Sequence, residues 1–181
     1  SESMIRKEKI QDFLKRQKGL FLNVLFFVAA FAAISAFQMR NMLATSDEIA
    51  PSLSGPLLRG GSYDVAAAGE KPVLVYFFAP WCTFCAVSSD NLTRLRRLRN
   101  DESLEILTVA LDWQDIDEVR DYVERHEIDL PVLLGDARIA EDWRVYAFPT
   151  YYVLNSRKRV HRRDLGYSTQ FGLWWRTWFV N

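Results

Sequence analysis

Cysteine is scarce in this 181-residue chain: there are two, alongside two histidines and three methionines. So few cysteines exclude a small fold stapled by several disulfides. They also leave little for a zinc site, which wants four ligands, because His126 and His161 stand far apart in the pattern. An excess of one charge is missing too, since 23 Lys and Arg face 23 Asp and Glu. A dedicated nucleic-acid binder carries a basic excess, so no nucleic acid is expected as a partner. Internal repeats and low-complexity tracts are absent, and 49% of residues are hydrophobic, which excludes collagen-like and disordered chains. A mean hydropathy of −0.11 is too polar for several membrane spans. The length suits one ordinary domain plus an appendage.

One long hydrophobic run is present. Leu20 to Phe37 holds 16 apolar residues of 18 and no charge. As a helix it measures roughly 30 Å, about one hydrocarbon core. Residues 1–18 before it carry six basic and three acidic side chains, a local charge of +3. Only Arg40 and Arg59 occur as cations between the run and Ser62. The positive-inside rule then places residues 1–18 in the cytoplasm, residues 19–38 across the membrane, and the remainder outside. A cleaved signal peptide is the competing reading, with Ala33-Ile34-Ser35 as a loose cleavage site. Both readings export the rest of the chain.

Residues 39–56 mix polar residues with Pro51, Gly55 and Pro56, without a sustained period. They read as a tether, reaching roughly 50 Å if extended. From residue 57 to 181 the pattern alternates. Val73 to Phe78 is a continuous apolar run, as in a strand buried on both faces, and Ile106 to Leu111 is a second. A helix after Cys82 is expected to turn Val87, Leu92, Leu95 and Leu98 inward. Asp115 caps a helix to about His126, and a short helix covers Ile139 to Trp143. Strands are expected at Thr150 to Leu154 and Val160 to Leu165, and a last helix runs from Thr169 to Phe179. The order implies an α/β sandwich around a mixed sheet.

Both cysteines fall in Trp81-Cys82-Thr83-Phe84-Cys85, where a buried strand gives way to a helix. That spacing in a first helical turn lets the sulfurs pair with little backbone strain. The free N–H groups and positive end of the helix favour thiolate at the first sulfur, lowering a cysteine pKa from about 8.5 into the range ~3.5–7.5. Cys82 is therefore the expected nucleophile and Cys85, one turn in, the resolving thiol. A purely structural disulfide is the plainer reading, but so short a loop removes little unfolded-state entropy. A copper-binding or copper-chaperone module would use the same two thiolates, although no Met or His flanks the motif within five residues.

The run Lys71 to Cys85 resembles the active-site strand and turn of thioredoxins. Leu130-Pro131-Val132-Leu133-Leu134 with Asp136 is similar to a segment of the membrane-anchored TlpA/ResA-like branch, and Val145 to Thr150 to the thioredoxin segment with a cis-proline. Gly166 falls where that family has a glycine after its last strand. The resemblance covers residues 56–180 and implies a thioredoxin-like fold. It further implies a cis Pro149, with Phe148 offering backbone groups to a substrate peptide. Trp81, Thr83 and Phe84 complete the expected contact surface. No cofactor beyond the Cys82–Cys85 disulfide, and no metal, is implied. The resemblance also implies a reducing role on protein disulfides, or in cytochrome c assembly, fed by a transmembrane thiol donor. The setting it implies is the inner (cytoplasmic) membrane, with the domain in the periplasm or another extracytoplasmic space. An oxidising role stays open, since Thr83-Phe84 has neither the proline of reducing members nor the histidine of oxidising ones. Tyr76 and Ser88 stand where family members place acids, so the group that deprotonates Cys85 is not identified. Asp90 reads as a helix-surface charge.

Two further clusters stand out. Arg157, Lys158, Arg159, Arg162 and Arg163 surround a hairpin turn and read as solvated, or as a docking site for an acidic partner or headgroups. Phe171, Trp174, Trp175, Trp178 and Phe179 exceed what one helix face needs for packing on a sheet. They read first as packing on the sheet, with contact of one or two rings with a bilayer interface as the alternative.

Overall fold

The computed structural model describes residues 2–45, 48–100, 102–178 and 180, with residues 2–16 and 170 described by backbone alone. It divides into two compact units, Ser1–Arg40 and Asn41–Asn181.

The first unit is one uninterrupted helix, α1 (Glu2–Met39). It contains no proline, and its apolar residues circle the axis rather than lining one face. Within it, Gln17–Met39 is 23 residues long with a mean hydropathy of 2.4, long and apolar enough to cross a membrane.

In the second unit a five-stranded sheet has the order β5-β4-β3-β6-β7. The strands are β3 (Val73–Phe78), β4 (Glu105–Ala110), β5 (Val132–Leu134), β6 (Thr150–Leu154) and β7 (Val160–Leu165). β3, β4 and β5 are parallel, while β6 and β7 run antiparallel to their neighbours. β3 is the middle strand and all six of its residues are buried, which is why its sequence is apolar without alternation. The helices are α2 (Thr83–Leu98), α3 (Ile116–Arg125), α4 (Ala137–Asp142) and α5 (Gln170–Trp178). Asp115 and Asp136 cap α3 and α4 by accepting from the amides of Asp117 and Ile139. A small hairpin, β1 (Ser54–Pro56) with β2 (Ser62–Asp64), and a 3-10 helix over Val65–Ala68 precede the sheet. This is a thioredoxin-like α/β fold.

Three expectations are corrected. The segment after residue 40 is not a loose tether. Met42 and Leu53 are buried, Ala50 N–H donates to Lys158 O, and Val65 N–H to Leu53 O. Arg163 donates to the carbonyls of Met42 and Leu43, and the Tyr152 hydroxyl accepts from Leu43 N–H. The segment is a strap, invisible to periodicity because most of its partners lie about a hundred residues away. Part of the basic hairpin thus holds that strap, through Lys158 O and Arg163, and Lys158 Nζ donates to the carbonyls of Gly69 and Lys71 rather than facing only solvent.

The phase of α2 also differs. Val87 and Leu98 are exposed, whereas Cys85, Ser88, Ser89, Leu92 and Leu95 form the buried stripe. Cys85, fixed at the strand end, sets the register, and two serines occupy positions that an apolar search passes over. The third correction concerns strands: β1, β2 and β5 have three residues each, too short for a period to register. Of the C-terminal residues, Phe179 lies outside the described residues.

Candidate active site

The carboxyl ends of parallel β3 and β4 lie side by side, and the chain leaves both at the same edge. After β3, Ala79 accepts from Cys82 N–H at 3.0 Å, closing a turn that delivers Cys82 to the start of α2. Cys82 is the N-cap, and its Sγ accepts from Cys85 N–H at 3.2 Å. Cys82 and Cys85 are joined as a disulfide with Cα atoms 5.3 Å apart. Cys82 is 6% exposed and Cys85 0%. An incoming sulfur therefore meets Cys82 first, at the positive end of a 16-residue helix.

The rim is aromatic. Trp81 and Phe84 are exposed beside the pair. Trp81 meets Phe148 edge to face at 5.7 Å between ring centres and donates its Nε1–H to Asp112 Oδ2 at 2.9 Å. The Phe148–Pro149 peptide bond is cis. Gly166 N–H donates to Pro149 O, and Thr150 Oγ to Ala147 O, tying this loop to β7 and to itself. Gly166 has φ +91, a conformation that glycine adopts without penalty. A groove of about 600 Å³ opens beside Phe148, lined by Asp112, Trp113, Asp136, Val145 and Tyr146 among others. The sequence-read residues Trp81, Cys82, Cys85, Phe148 and Pro149 thus come to one edge, with Thr83 in the first turn of α2. Sequence patterning passes over Asp112. Its signal is its place just past β4, beside the end of β3, where a parallel sheet presents side chains to ligands.

Beneath the pair lies a layer of hydroxyls. The Cys85 carbonyl accepts from Tyr76 Oη at 3.0 Å and from Ser89 Oγ at 2.8 Å, while Ser88 Oγ donates to Phe84 O. Ser89 Oγ and Tyr122 Oη are 3.4 Å apart, and the Tyr76 and Tyr151 rings lie 4.9 Å apart. Tyr76, where the thioredoxins that the sequence resembles often place a buried acid, therefore fixes the first turn of α2 rather than supplying a charge. Burial pushes its phenol well above the usual tyrosine value. Burial likewise raises Tyr63 and Tyr151, and lifts Tyr122 and Tyr152 to about 12. A phenol with a raised folded pKa stabilises the fold fully below its unfolded value near 10, and that contribution is lost as pH rises through the folded value. The fold should hold to about pH 10 and weaken toward pH 12. A phenolate-absorbance titration should show these five tyrosines ionising late and together with loss of the near-UV dichroism. Ionisation of these five near pH 10 in the intact fold would contradict it.

Among the described residues no group of three or more His, Cys, Asp and Glu is placed to hold a metal ion. A metal here would rest on the two sulfurs.

A family model described as the AhpC/TSA family matches residues 47–163. The thioredoxin-like protein YneN of Bacillus subtilis is 24% identical over 125 residues, 67% of this chain and 72% of that protein. A thioredoxin-like protein of Haemophilus influenzae is 26% identical over 125 residues, 68% and 72% of the two chains. Among solved structures, the thioredoxin domain of a thiol-disulfide oxidoreductase from Bacteroides vulgatus aligns with a TM-score of 0.68 at 22% identity, covering 77% of this chain and 99% of that one. A thiol:disulfide interchange protein of Chlorobium tepidum aligns at 0.67 and 19% identity, covering 75% and 97%.

Proposed function

The chain belongs to the AhpC/TSA family and is a thioredoxin-like thiol–disulfide oxidoreductase; from this premise we propose that it works outside the cytoplasm, anchored by α1, as a reductant of protein disulfides. The observation that carries the chemistry is the placement of Cys82 at the α2 N-cap, with its 6% of exposure the only access to a pair whose Cys85 is fully buried. In the proposed cycle the Cys82 thiolate attacks one sulfur of a substrate disulfide. A Cys82–substrate disulfide forms and the other substrate sulfur leaves as thiolate. Cys85 then loses its proton and attacks Cys82, forming the Cys82–Cys85 disulfide and releasing the second substrate thiolate. Two electrons pass to the substrate, and an outside dithiol, such as a membrane-embedded thiol donor, must restore the pair. Trp81, Thr83, Phe84 and the Phe148-Pro149 loop form the substrate-binding edge in this reading.

The apolar stretch of α1 and its basic flank support the anchor and its orientation. The direction of electron flow rests on the resemblance to the TlpA/ResA-like branch. Equilibration of the full chain with glutathione or dithiothreitol buffers tests it. A potential near about −250 mV or lower supports the reductant, and one near about −120 mV would make the protein an oxidant instead. Tight stoichiometric Cu(I) binding without disulfide turnover would replace both with a metal-carrying role.

A further inference from the structure

The groove that opens beside Phe148 takes no part in the exchange of sulfurs. Trp113, Tyr146 and Phe148 give it aromatic walls, and Asp112 and Asp136 are the charged side chains that line it. Trp113 donates its Nε1–H to Gly135 O at 3.0 Å, which holds that ring in place. At Gly135 an added Cβ would lie 2.6 Å from Leu111 Cδ2 and 2.9 Å from Val109 Cγ1. Glycine is what lets the chain past β5 lie so close against the end of β4.

The two carboxylates are placed but not neutralised. Asp112 has φ +52, a backbone that aspartate tolerates better than most residues, and its Oδ2 accepts from Trp81 Nε1 at 2.9 Å. Asp136 Oδ1 accepts from Ile139 N–H at 2.9 Å. One oxygen of each is thereby engaged, and among the described residues neither carboxylate is in an ion pair. Acid also prevails nearby. Residues 111–118 hold four acids and no base, and residues 135–148 hold three acids and two arginines, Arg138 and Arg144. Both arginines are exposed and neither lines the groove. Arg120, the next cation after residue 118, is bonded to Asp117.

We propose that this groove is a specificity subsite for a lysine or arginine side chain carried by the substrate protein close to its reacting cysteine. Such a subsite presupposes the proposed action on protein disulfides, since the substrate sulfur must reach Cys82 across this rim. The groove is continuous with that rim: Phe148 meets the Trp81 ring and Asp112 takes its Nε1–H, next to Cys82. A long cationic side chain lays its apolar stem along the rings and brings its charge to the carboxylates. A cation over an aromatic face adds to the attraction. An apolar side chain leaves the acids without a partner, and an acidic one is repelled.

The test uses the full chain and symmetrical disulfides of one short peptide whose residues flanking the cysteine are lysine, norleucine or glutamate. Stopped flow follows exchange in both directions, reduced chain with peptide disulfide and oxidised chain with peptide thiol. Each rate is divided by that of the same peptide with dithiothreitol in the matching redox state, which removes the peptide's own reactivity. The lysine peptide should exceed the glutamate peptide by about tenfold, the ratio that about 1.4 kcal/mol brings, with norleucine between them. Molar salt should shrink that ratio, because exposed charges are screened. D112N/D136N should bring it to about one. Asparagine still accepts from Trp81 and still caps α4, so the charge is what this variant loses. A ratio near one in the parent chain, a norleucine peptide faster than the lysine one, or a ratio kept in D112N/D136N would overturn the subsite and leave the exchange chemistry standing. Exchange confined to the oxidised chain would overturn the reductant role, and the ratio in that direction would still decide the subsite. Exchange of every peptide no faster than with dithiothreitol would overturn the action on protein disulfides and the subsite with it.

Discussion

Cys82→Ser lowers disulfide turnover to the rate of the uncatalysed exchange. A serine hydroxyl at the same N-cap is not ionised near neutral pH and cannot attack sulfur. Cys85→Ser gives a different failure. Its Cys82 is still the more accessible sulfur and still attacks, but nothing releases the product, so one substrate thiol accumulates per chain as a mixed disulfide. Insulin reduction, with mass spectrometry of the trapped species, checks both variants. The asymmetry comes from geometry: Cys85 is wholly buried, and its carbonyl is held from below by Tyr76 and Ser89. If Cys85→Ser kept turning over while Cys82→Ser trapped the adduct, the two roles would be reversed.

Trp143→Ala should cost about 3–5 kcal/mol, the range for emptying a buried aromatic site. Its ring is fully buried, 5.4 Å from Phe77 and 5.5 Å from Tyr152. Its carbonyl accepts from Tyr152 Oη, the same hydroxyl that takes Leu43 N–H. Its Nε1–H faces Ser52 O at 3.4 Å. The tryptophan therefore supports the sheet on one side and the strap on the other. Thermal unfolding should fall by roughly 10 °C or more, and limited proteolysis should cut within residues 43–53 sooner than in the parent chain. A loss below about 1 kcal/mol, the size of a typical surface change, would mean that the strap and the ring are not coupled.

Chemistry is easier to read from the sequence than packing. Val73–Phe78 announces itself because a strand buried on both faces must be apolar throughout. The pair Cys82 and Cys85 stands out because only two cysteines exist and both occupy one turn. The strap, by contrast, is made of a backbone bond to Lys158, bonds donated by the Arg163 side chain and one donated by Leu43 N–H to Tyr152 Oη, for which residues 41–56 carry no local signature. The α2 register is hidden for a related reason. Ser88 and Ser89 look solvent-bound by type, but each finds its partner in a carbonyl of its own helix. Lys158 and Arg163 show the same limit, since a cation that pairs with backbone looks like surface charge in a sequence.

The strap alters how far the enzyme can act. α1 ends at Met39, Arg40 N–H closes a turn onto Phe37 O, and Met42 is already buried, so little free chain follows the apolar helix. On the proposed anchoring this is a short leash rather than one of several nanometres. A short leash raises the effective concentration of Cys82 for partners held in the same membrane and lowers it for proteins diffusing beyond reach. Selectivity between a membrane-embedded dithiol and distant soluble thiols would then be written partly in the length of the linker, with no contribution from the contacts at the active-site rim.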